Sequence, residues 1–478
     1  MRYTGLTVSL LLAFPFGIGA GSAADGSASK KPGAPNIVFI LADDLGYGEL
    51  GCYGQTRIKT PVIDKLAAQG TRFTDFYAGS TVCAPSRCAL MTGLHMGHAR
   101  IRGNKLVPLQ PDDVTVAEVL KQAGYRTGIF GKWGLGEPDT TGVPNRQGFD
   151  EWFGYLNQHH AHGYFPDYLW HNETKFPIPG NIQENNVATR KEVYSPDLIL
   201  DRALAFLDQS SRDKPLFLYL AVTLPHVNNE LFRATGDGHE IPSDEPYSNE
   251  DWPQPEKGRA AMVTRMDRDV GRVLQKLTER GLDDNTIVLF SSDNGAQQEG
   301  GSKVAFFGSS GPLRGWKRDL YEGGIRVPMI VRWPGKVAAG QVSHHVWTMW
   351  DFLPTAADLV GSQPPPGLDG RSMLPALLAA GDREVPSKGE HEFLYWEFHE
   401  RGFTQAVRMG NWKAVRAGLD SPLELFDIAT DIGEQTNIAA KHPDVVAKIE
   451  AYLKTARTDN PDFPIQPRAA TKAKTAKR

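Results

Sequence analysis

The sequence predicts an α/β fold in which helices sandwich a large, mixed, mostly parallel sheet and a smaller C-terminal antiparallel α+β subdomain follows. Four apolar runs are continuous rather than alternating, which is typical of strands buried on both faces of a parallel sheet. Helical stretches lie between these runs, and such alternation favours a parallel sheet with both faces covered. Near the C-terminus the pattern changes to short alternating strands and one closing helix.

The first element along the chain is a predicted secretory signal peptide at residues 1–24. It combines a basic Arg2, an apolar stretch over residues 6–20 and small residues at 22–24. The apolar stretch is short for a membrane span and is interrupted by Pro15, so we expect cleavage rather than an anchor. The sequence therefore predicts an exported protein, periplasmic or secreted, with no stable membrane insertion.

The larger predicted domain spans residues 25–365 and contains the four buried strands. A linker ends at Pro35, and the first strand is predicted at residues 37–41. The other three strands are predicted in TGIFGKW, PLFLYLAVTLPH and NTIVLFSSDNG.

Two helices of this domain have well-defined boundaries in the sequence. In TPVIDKLAAQG, Thr60 is predicted to cap a helix that begins at Pro61 and ends before Gly70. In VTVAEVLKQAG, Thr115 and Glu118 have the spacing of a capping box. The segment DFLPTAADLVG is predicted to be the last helix of the domain.

A second unit is predicted over residues 366–464, after the Pro-rich boundary SQPPPGLDG. EFLYWEFHE, FTQAVRMGNWKAVR and PLELFDI are typical of short strands, and HPDVVAKIEAYLKTA of a closing helix. Residues 465–478 are predicted to form a disordered basic tail. Elsewhere the charges are balanced, with a formal net charge of −4, so the sequence predicts no nucleic-acid partner.

Each predicted strand of the large sheet ends on polar side chains. These residues are Asp43, Asp44, Lys132, His226, Asp293 and Asn294. We expect them at one site, because ligands of such sheets bind beyond the carboxyl ends of the strands. The two acidic pairs offer only oxygen donors, which suit a hard cation such as Ca²⁺, or Mg²⁺. Taken alone, each pair is also typical of a helix cap or a turn.

The three cysteines, Cys52, Cys83 and Cys88, cannot all pair with one another, so at least one has another role. A bridge between Cys52 and Cys88 stays open as an alternative. Cys83 is a mismatch among carboxylates, because a soft thiolate does not suit a hard cation.

The stretch CAPSRCALMTG, residues 83–93, resembles the signature of the sulfatase family. The first cysteine of that signature is oxidised to formylglycine, an aldehyde that hydrates to a geminal diol. The resemblance implies that Cys83 is such a precursor and that a formylglycine-generating enzyme acts on the chain during maturation. Other segments resemble the family's motifs in the same order: PNIVFILADDLGYGELGCYG, GKWGLG, LPH, SSDNG and GPLRGWKRDLYEGGIRVP.

The resemblance also implies roles for individual residues. The implied metal ligands are Asp43, Asp44, Asp293, Asn294 and the modified Cys83. The implied catalytic residues are Cys83 as the nucleophile, Arg87 and Lys132 as groups that hold the diol, and His226 and Lys317 as contacts to sulfate. One hydroxyl of the diol attacks sulfur, His226 or Lys317 protonates the leaving alcohol, and the second hydroxyl then expels sulfate.

One position departs from the family pattern. Many members have histidine in GKWHLG where this chain has Gly134, so the base for the second step must come from elsewhere or that step differs. The nearby loop QHHAHGYFPDYLW offers His160 and His162 for catalysis or substrate binding, although such a cluster is also typical of a polar loop. Asn228 is a further candidate for substrate binding, with a polar loop as the alternative.

The resemblance, which extends to exported bacterial sulfatases of polysaccharides, thus implies an exported sulfuric ester hydrolase that acts on a sulfated carbohydrate, and we expect a sugar of galactose type. One alternative is a phosphate or phosphonate monoester hydrolase, for which we find no convincing second set of His and Asp metal ligands. The other is an inactive glycan-binding homologue with an unmodified Cys83.

Overall fold

The computed structural model describes residues 1–2, 33–379, 390–400 and 402–465. Apart from residues 1, 2 and 465, the predicted signal peptide and the predicted tail lie outside this described part. None of the helices within it combines the length and the apolar character needed to cross a bilayer.

The described chain contains both strands and α-helices. In chain order the strands are β1 (Asn36–Ala42), β2 (Thr71–Phe73), β3 (Phe76–Tyr77), β4 (Arg126–Lys132), β5 (Glu151–Tyr155), β6 (Tyr168–His171), β7 (Thr174–Pro177), β8 (Ile182–Glu184), β9 (Val187–Arg190), β10 (Leu216–Ala221), β11 (Thr286–Ser292), β12 (Met329–Arg332), β13 (Gln341–Ser343), β14 (Trp347–Thr348), β15 (Leu394–Phe398), β16 (Thr404–Met409), β17 (Trp412–Arg416) and β18 (Glu424–Asp427). The α-helices are α1 (Pro61–Ala68), α2 (Cys83–Thr92), α3 (Val116–Gln122), α4 (Ser195–Asp208), α5 (Asn229–Thr235), α6 (Gln254–Glu279), α7 (Val304–Phe307), α8 (Glu322–Ile325), α9 (Phe352–Leu359), α10 (Leu374–Leu378) and α11 (Pro443–Leu453).

The main sheet has the order β13-β2-β12-β11-β1-β10-β4-β5-β6-β7. Its centre, β11-β1-β10-β4-β5, is parallel, and antiparallel pairs flank it on both sides. The four strands predicted from continuous apolar runs are β1, β4, β10 and β11, which lie side by side at this centre. The predicted mostly parallel sheet is therefore confirmed.

Both faces of the sheet are covered, as predicted. Ile37, Phe39 and Leu41 of β1 pack into one apolar cluster with residues of α2, α3 and α9. Val38 and Ile40 point to the opposite face, where residues of α1, α4 and α6 complete a second cluster. Successive side chains of a strand alternate between faces, so the apolar run of β1 contributes to both cores.

The helix boundaries agree with the sequence at α3 and in part at α1. Thr115 and Glu118 form the predicted capping box at the start of α3. Helix α1 begins at Pro61, but the Thr60 side chain makes no capping hydrogen bond. Instead, Asp267 of α6 accepts hydrogen bonds from the backbone N–H groups of Val62 and Ile63, at 3.1 and 2.7 Å. Thr60 is therefore the N-cap residue, as predicted, but the acceptor for the first N–H groups of α1 comes from a neighbouring helix.

The C-terminal sheet is antiparallel with the order β15-β16-β17-β18, and α11 packs on one face. The other face adjoins the main domain: Trp396 belongs to the first apolar cluster and donates its indole N–H to the Ala78 carbonyl at 2.9 Å. The predicted small α+β unit is confirmed, and its boundary at residue 366 stays a prediction.

Candidate active site

The two acidic pairs meet because their strands are neighbours. Asp43 and Asp44 follow β1, and Asp293 and Asn294 follow β11, whose parallel register aligns Ala42 with Ser292. Asp44 accepts a hydrogen bond from the Asn294 amide at 2.7 Å, and Asp293 accepts one from the Asp44 backbone N–H at 3.1 Å. The four residues therefore form one buried group.

Helix α2 brings the signature cysteine to this group. Cys83 is its first residue, and Arg87 lies one turn later on the same face. Arg87 pairs with Asp293 at 2.8 Å and with Asp43 at 3.5 Å. The sequence predicts no helix here, because Val82 cannot cap one and the ten residues of α2, all buried, have no amphipathic pattern.

Two lysines and a histidine complete the cluster. Lys132, the last residue of β4, places its Nζ 2.6 Å from Asp43, and Lys317 places its Nζ 2.7 Å from Asp44. Lys317 Nζ also lies 3.6 Å from Cys83 Sγ. His226, in the loop after β10, places Nε2 3.4 Å from Asp44, and its Nδ1 is 2.6 Å from the Val227 carbonyl. Because a carbonyl oxygen can only accept, Nδ1 carries the proton of the neutral ring. The unprotonated Nε2 is the ring nitrogen that faces the cluster.

The nine residues predicted at the metal and catalytic centre are thus brought together, although their roles stay predictions. These residues are Asp43, Asp44, Cys83, Arg87, Lys132, His226, Asp293, Asn294 and Lys317. Each is buried, with at most 3% of its surface exposed.

The surroundings shift the pKa values of Asp43 and Asp293 in opposite directions. Burial disfavours the charge on Asp43, but Lys132, His226 and Arg87 outweigh it and lower its pKa. Burial and the adjacent Asp43 instead raise the pKa of Asp293 to about 7. The side-chain cations therefore offset only part of the cost of burying Asp293 beside a second carboxylate.

The donor set fits a divalent cation. Asp43, Asp44, Cys83 and His226 each offer an atom, and these atoms lie within 4.8 Å of one another. Asn294 Oδ1 is buried and has no hydrogen-bond partner in the described part of the chain. An orphaned amide oxygen beside carboxylates is a suitable ligand for Ca²⁺ or Mg²⁺.

Cys83 itself is held as a neutral thiol. Its Sγ lies 3.4 Å from Asp43 Oδ1, and burial together with Asp43 raises the pKa of the Cys83 thiol far above its usual range. A neutral thiol is a weak nucleophile and a weak metal ligand. As thiol, residue 83 is therefore poorly suited to the chemistry that its surroundings favour.

The open alternative of a bridge between Cys52 and Cys88 is not realised. All three cysteines are free, and the two in question lie in different cores. Cys88 belongs to the first apolar cluster, whereas Cys52 packs against the second, on the opposite face of the sheet.

The space that a side chain at position 134 would need is occupied by Gln158. The φ of Gly134 is +83°, and a Cβ there would lie 2.0 Å from Nε2 of Gln158. The Gln158 side chain is buried, and neither its oxygen nor its nitrogen has a hydrogen-bond partner among the described residues. An amide therefore occupies the space beside Gly134, which the sequence analysis did not anticipate because 24 residues separate the two.

His160 and His162, both in the predicted histidine loop, have different surroundings. His160 stacks on Tyr168 with a ring separation of 4.5 Å, and burial lowers its pKa to about 4. His162 stacks on His226 at 5.2 Å with an interplanar angle of 14°, and its Nδ1 lies 2.9 Å from Glu230. His162 therefore adjoins the buried cluster, whereas the contacts of His160 are those of packing.

Asn228 is engaged inside the fold. Its Oδ1 caps α5 by accepting from the backbone N–H groups of Glu230 and Leu231, and its Nδ2 donates to Asn186 and Glu240. Both amide protons are used, so substrate binding by Asn228 gains no support from these contacts.

A supporting pair behind Asp44 was missed by the sequence analysis. Arg259 of α6 donates to the Asp44 carbonyl at 2.7 Å and pairs with Glu49 at 2.6 Å. Asp44 has a left-handed φ of 66°, uncommon for a residue with a side chain, and this bond helps to hold it. No motif marks the pair, because its members lie 210 residues apart.

Comparison with known proteins agrees with this geometry. The family model described as Sulfatase matches residues 35–362, and the model described as N-sulphoglucosamine sulphohydrolase, C-terminal, matches residues 314–459. Human N-acetylgalactosamine-6-sulfatase is 32% identical over 432 residues, covering 82% of this chain and 76% of that protein. N-acetylgalactosamine-6-O-sulfatase of Bacteroides thetaiotaomicron is 30% identical, covering 91% of this chain and 94% of that protein.

Solved structures of similar fold are also known. The structure of Ps i-CgsB in complex with k-i-k-neocarrahexaose has a TM-score of 0.76 and 29% identity, covering 91% of this chain and 95% of that one. The first family model alone spans well over half of the chain, and its match includes the helix that begins at Cys83. The chain therefore belongs to the sulfatase family, and its activity is the hydrolysis of sulfuric esters.

Proposed function

We propose that this protein is an exported hydrolase of O-sulfated sugars, of galactose type, and that residue 83 acts as formylglycine. The observation that carries the proposal is the buried cluster around Cys83, in which Asp43, Asp44 and Asp293 face Arg87, Lys132 and Lys317. The predicted signal peptide supports export to the periplasm or out of the cell.

Conversion of Cys83 by a formylglycine-generating enzyme resolves the mismatch at this position. As a hydrate, the aldehyde supplies an oxygen nucleophile where the thiol is neutral and poorly reactive. Lys132 pairs with Asp43, which in turn contacts Cys83 Sγ, and Lys317 Nζ approaches Sγ directly at 3.6 Å. These cations would favour the deprotonated form of an oxygen at residue 83.

The charge balance supports a divalent cation, Ca²⁺ or Mg²⁺, held by Asp43, Asp44, Asp293, Asn294 and residue 83. A cation bound there would acidify the nucleophile and offset negative charge on the sulfuryl oxygens. Without it, three carboxylates and three cationic side chains cancel. With it, the centre carries two positive charges, which matches the two negative charges of the sulfate product.

The chain's own donors have distinct tasks in this proposal. Lys317 and His226 contact the sulfate, and both are candidates to protonate the leaving alcohol oxygen. For His226 the atom concerned is Nε2, which must itself gain a proton before it can act as the acid, because the Val227 carbonyl holds the proton of the neutral ring on Nδ1. Arg87 and Lys132 hold residue 83, and they also pair with Asp293 at 2.8 Å and with Asp43 at 2.6 Å.

The region beside Gly134 differs from the family pattern, and His162 is the residue that we propose for substrate binding or proton transfer there. Glu230 holds its Nδ1 at 2.9 Å, which leaves Nε2 for the substrate. Gln158 replaces the volume of the missing histidine side chain but cannot act as a base.

The proposed sugar class rests on the relatives, two of which are named for N-acetylgalactosamine 6-sulfate. The test is sulfate release, with Ca²⁺ present and an aldehyde verified at residue 83, from galactose, N-acetylgalactosamine and glucosamine derivatives sulfated at single positions. Release from a galactose-type monosulfate is the expected result. Release from glucosamine derivatives alone would contradict the proposed class, and faster release of phosphate from matched phosphate esters would contradict the reaction.

A further inference from the structure

Three charged side chains outside the buried cluster meet beside Lys317. The Arg318 guanidinium pairs with Glu299 through Nη1 and with Glu400 through Nε, the latter at 3.4 Å. Glu400 follows β15 of the C-terminal sheet, whereas Glu299 follows β11 of the main sheet. The trio therefore joins both parts of the molecule at one point.

This trio flanks residue 83 from two directions. The Arg318 backbone N–H donates to the Thr81 hydroxyl at 2.8 Å, two residues before Cys83. On the other side, Glu400 accepts from the Asn104 backbone N–H at 3.4 Å, and Asn104 Oδ1 accepts from the N–H of Ala84 at 3.1 Å. The trio is thus linked to the chain on both sides of residue 83, directly to Thr81 and through Asn104 to Ala84.

The trio keeps contact with solvent, unlike the ion pairs that stabilise the core. The side chains of Arg318, Glu299 and Glu400 are 19%, 33% and 29% exposed. By contrast, Lys413 and Glu322 pair with 0% exposure beneath the C-terminal sheet. A carboxylate has about four acceptor positions and a guanidinium five donors, so the trio has hydrogen-bonding capacity left over.

The position of the trio matches the position of a sugar ring. A sulfate ester joins sulfur to the ring through a single oxygen, so the ring must lie just outside the cluster that holds the sulfate. Arg318 directly follows Lys317, whose Nζ approaches residue 83, and 19% of the Arg318 side chain is exposed. The adjacent Trp316 exposes 39% of its surface, which is high for an indole and offers an apolar face nearby.

We infer that Arg318, Glu299 and Glu400 form a binding site for the hydroxyl groups of the sugar that bears the sulfate. Sugar hydroxyls both donate and accept, so they suit a guanidinium between two carboxylates. The trio has a net charge of −1, which disfavours a second sulfate on the same face of the ring. This inference rests on the proposed function and adds a contribution from the C-terminal unit.

The test compares full-length Arg318→Gln and Glu400→Gln with the wild type, all with an aldehyde at residue 83. The matched control is Glu192→Gln, which removes an exposed carboxylate that pairs with Arg190 elsewhere. The measured quantity is the ratio of kcat/KM for N-acetylgalactosamine 6-sulfate to kcat/KM for 4-methylumbelliferyl sulfate, which lacks sugar hydroxyls. We expect this ratio to fall at least tenfold in both variants and to stay unchanged in the control.

An unchanged ratio in both variants would overturn the inference. An equal loss of kcat/KM on both substrates, accompanied by a lower Tm, would overturn it and would show that the three side chains only stabilise the contact between the two units. Calorimetric titration of N-acetylgalactosamine 6-sulfate into Cys83→Ser separates the inference from the proposed function. Binding that weakens at least fivefold on adding Arg318→Gln supports the site even if the converted enzyme releases no sulfate, and binding that is absent or insensitive overturns it.

Discussion

At the scale of single residues, the cluster depends on charges that compensate one another. Asp43 is paired with Lys132 and Asp44 with Lys317, and all four are buried. Removing one partner of a buried pair typically costs about 3–5 kcal/mol, because the other charge is left uncompensated. Changes of steric fit are therefore cleaner probes of the site than deletion of its charges.

Gly134→Ala is such a probe. We expect it to lower Tm by more than Gly124→Ala, measured by scanning calorimetry. Both glycines have a left-handed φ, +83° and +90°, but a Cβ at Gly124 meets nothing within 4 Å. At Gly134 the Cβ overlaps Gln158, so Gln158→Ala should restore part of the loss. A double variant no more stable than Gly134→Ala would contradict this packing.

The histidine loop yields a second prediction at this scale. We expect His162→Ala to lower kcat/KM on sugar sulfates at least tenfold, because His162 stacks on His226 and is oriented by Glu230. His160→Ala should act mainly on Tm, since His160 packs between Tyr155 and Tyr168. Steady-state kinetics and calorimetry on both variants measure the contrast. The reverse pattern, with His160 dominating the kinetics, would refute the assignment.

At the scale of elements, helix α1 depends on a cap from another helix. We expect Asp267→Ala to lower the free energy of unfolding by ~1–2 kcal/mol, because two backbone N–H groups at the start of α1 lose their acceptor. Asp267→Asn keeps one oxygen and should lose less. Denaturant unfolding of both variants measures the difference, and an Asp267→Ala protein as stable as wild type would contradict the cap.

The elements that could be predicted from the sequence are those with a local pattern. Strands β1, β4, β10 and β11 are continuous apolar runs, and α3 carries its own capping box. Helix α2 has no side-chain cap at its N-terminus and no exposed face, so neither its start nor an amphipathic pattern marks it in the sequence. Asp43, His226 and Asp293 could be predicted to meet because each follows a strand of the parallel sheet. Gln158, Arg259 and Arg318 could not, because their positions depend on contacts with segments far away in the chain.

At the scale of the whole molecule, the buried cluster around Cys83 connects the ends of the sheet strands with α2 and with the segment that contains Lys317. We expect chelation with EDTA to lower both Tm and sulfate release, and Ca²⁺ or Mg²⁺ to restore them, because a bound cation stabilises only the folded chain. Asp44→Asn should reduce the Tm shift on adding cation, with Glu192→Gln as the control. A Tm that is insensitive to EDTA and to added cation would contradict a metal centre.

We propose that sulfate ester hydrolysis by this protein depends on a modified Cys83. Preparations made with different amounts of maturation enzyme would carry different fractions of aldehyde at residue 83, which peptide mass spectrometry quantifies. The most direct measurement is kcat for 4-methylumbelliferyl sulfate against that fraction. We predict a straight line through zero, with Cys83→Ala at the origin; appreciable turnover by protein that carries only the thiol would contradict the claim.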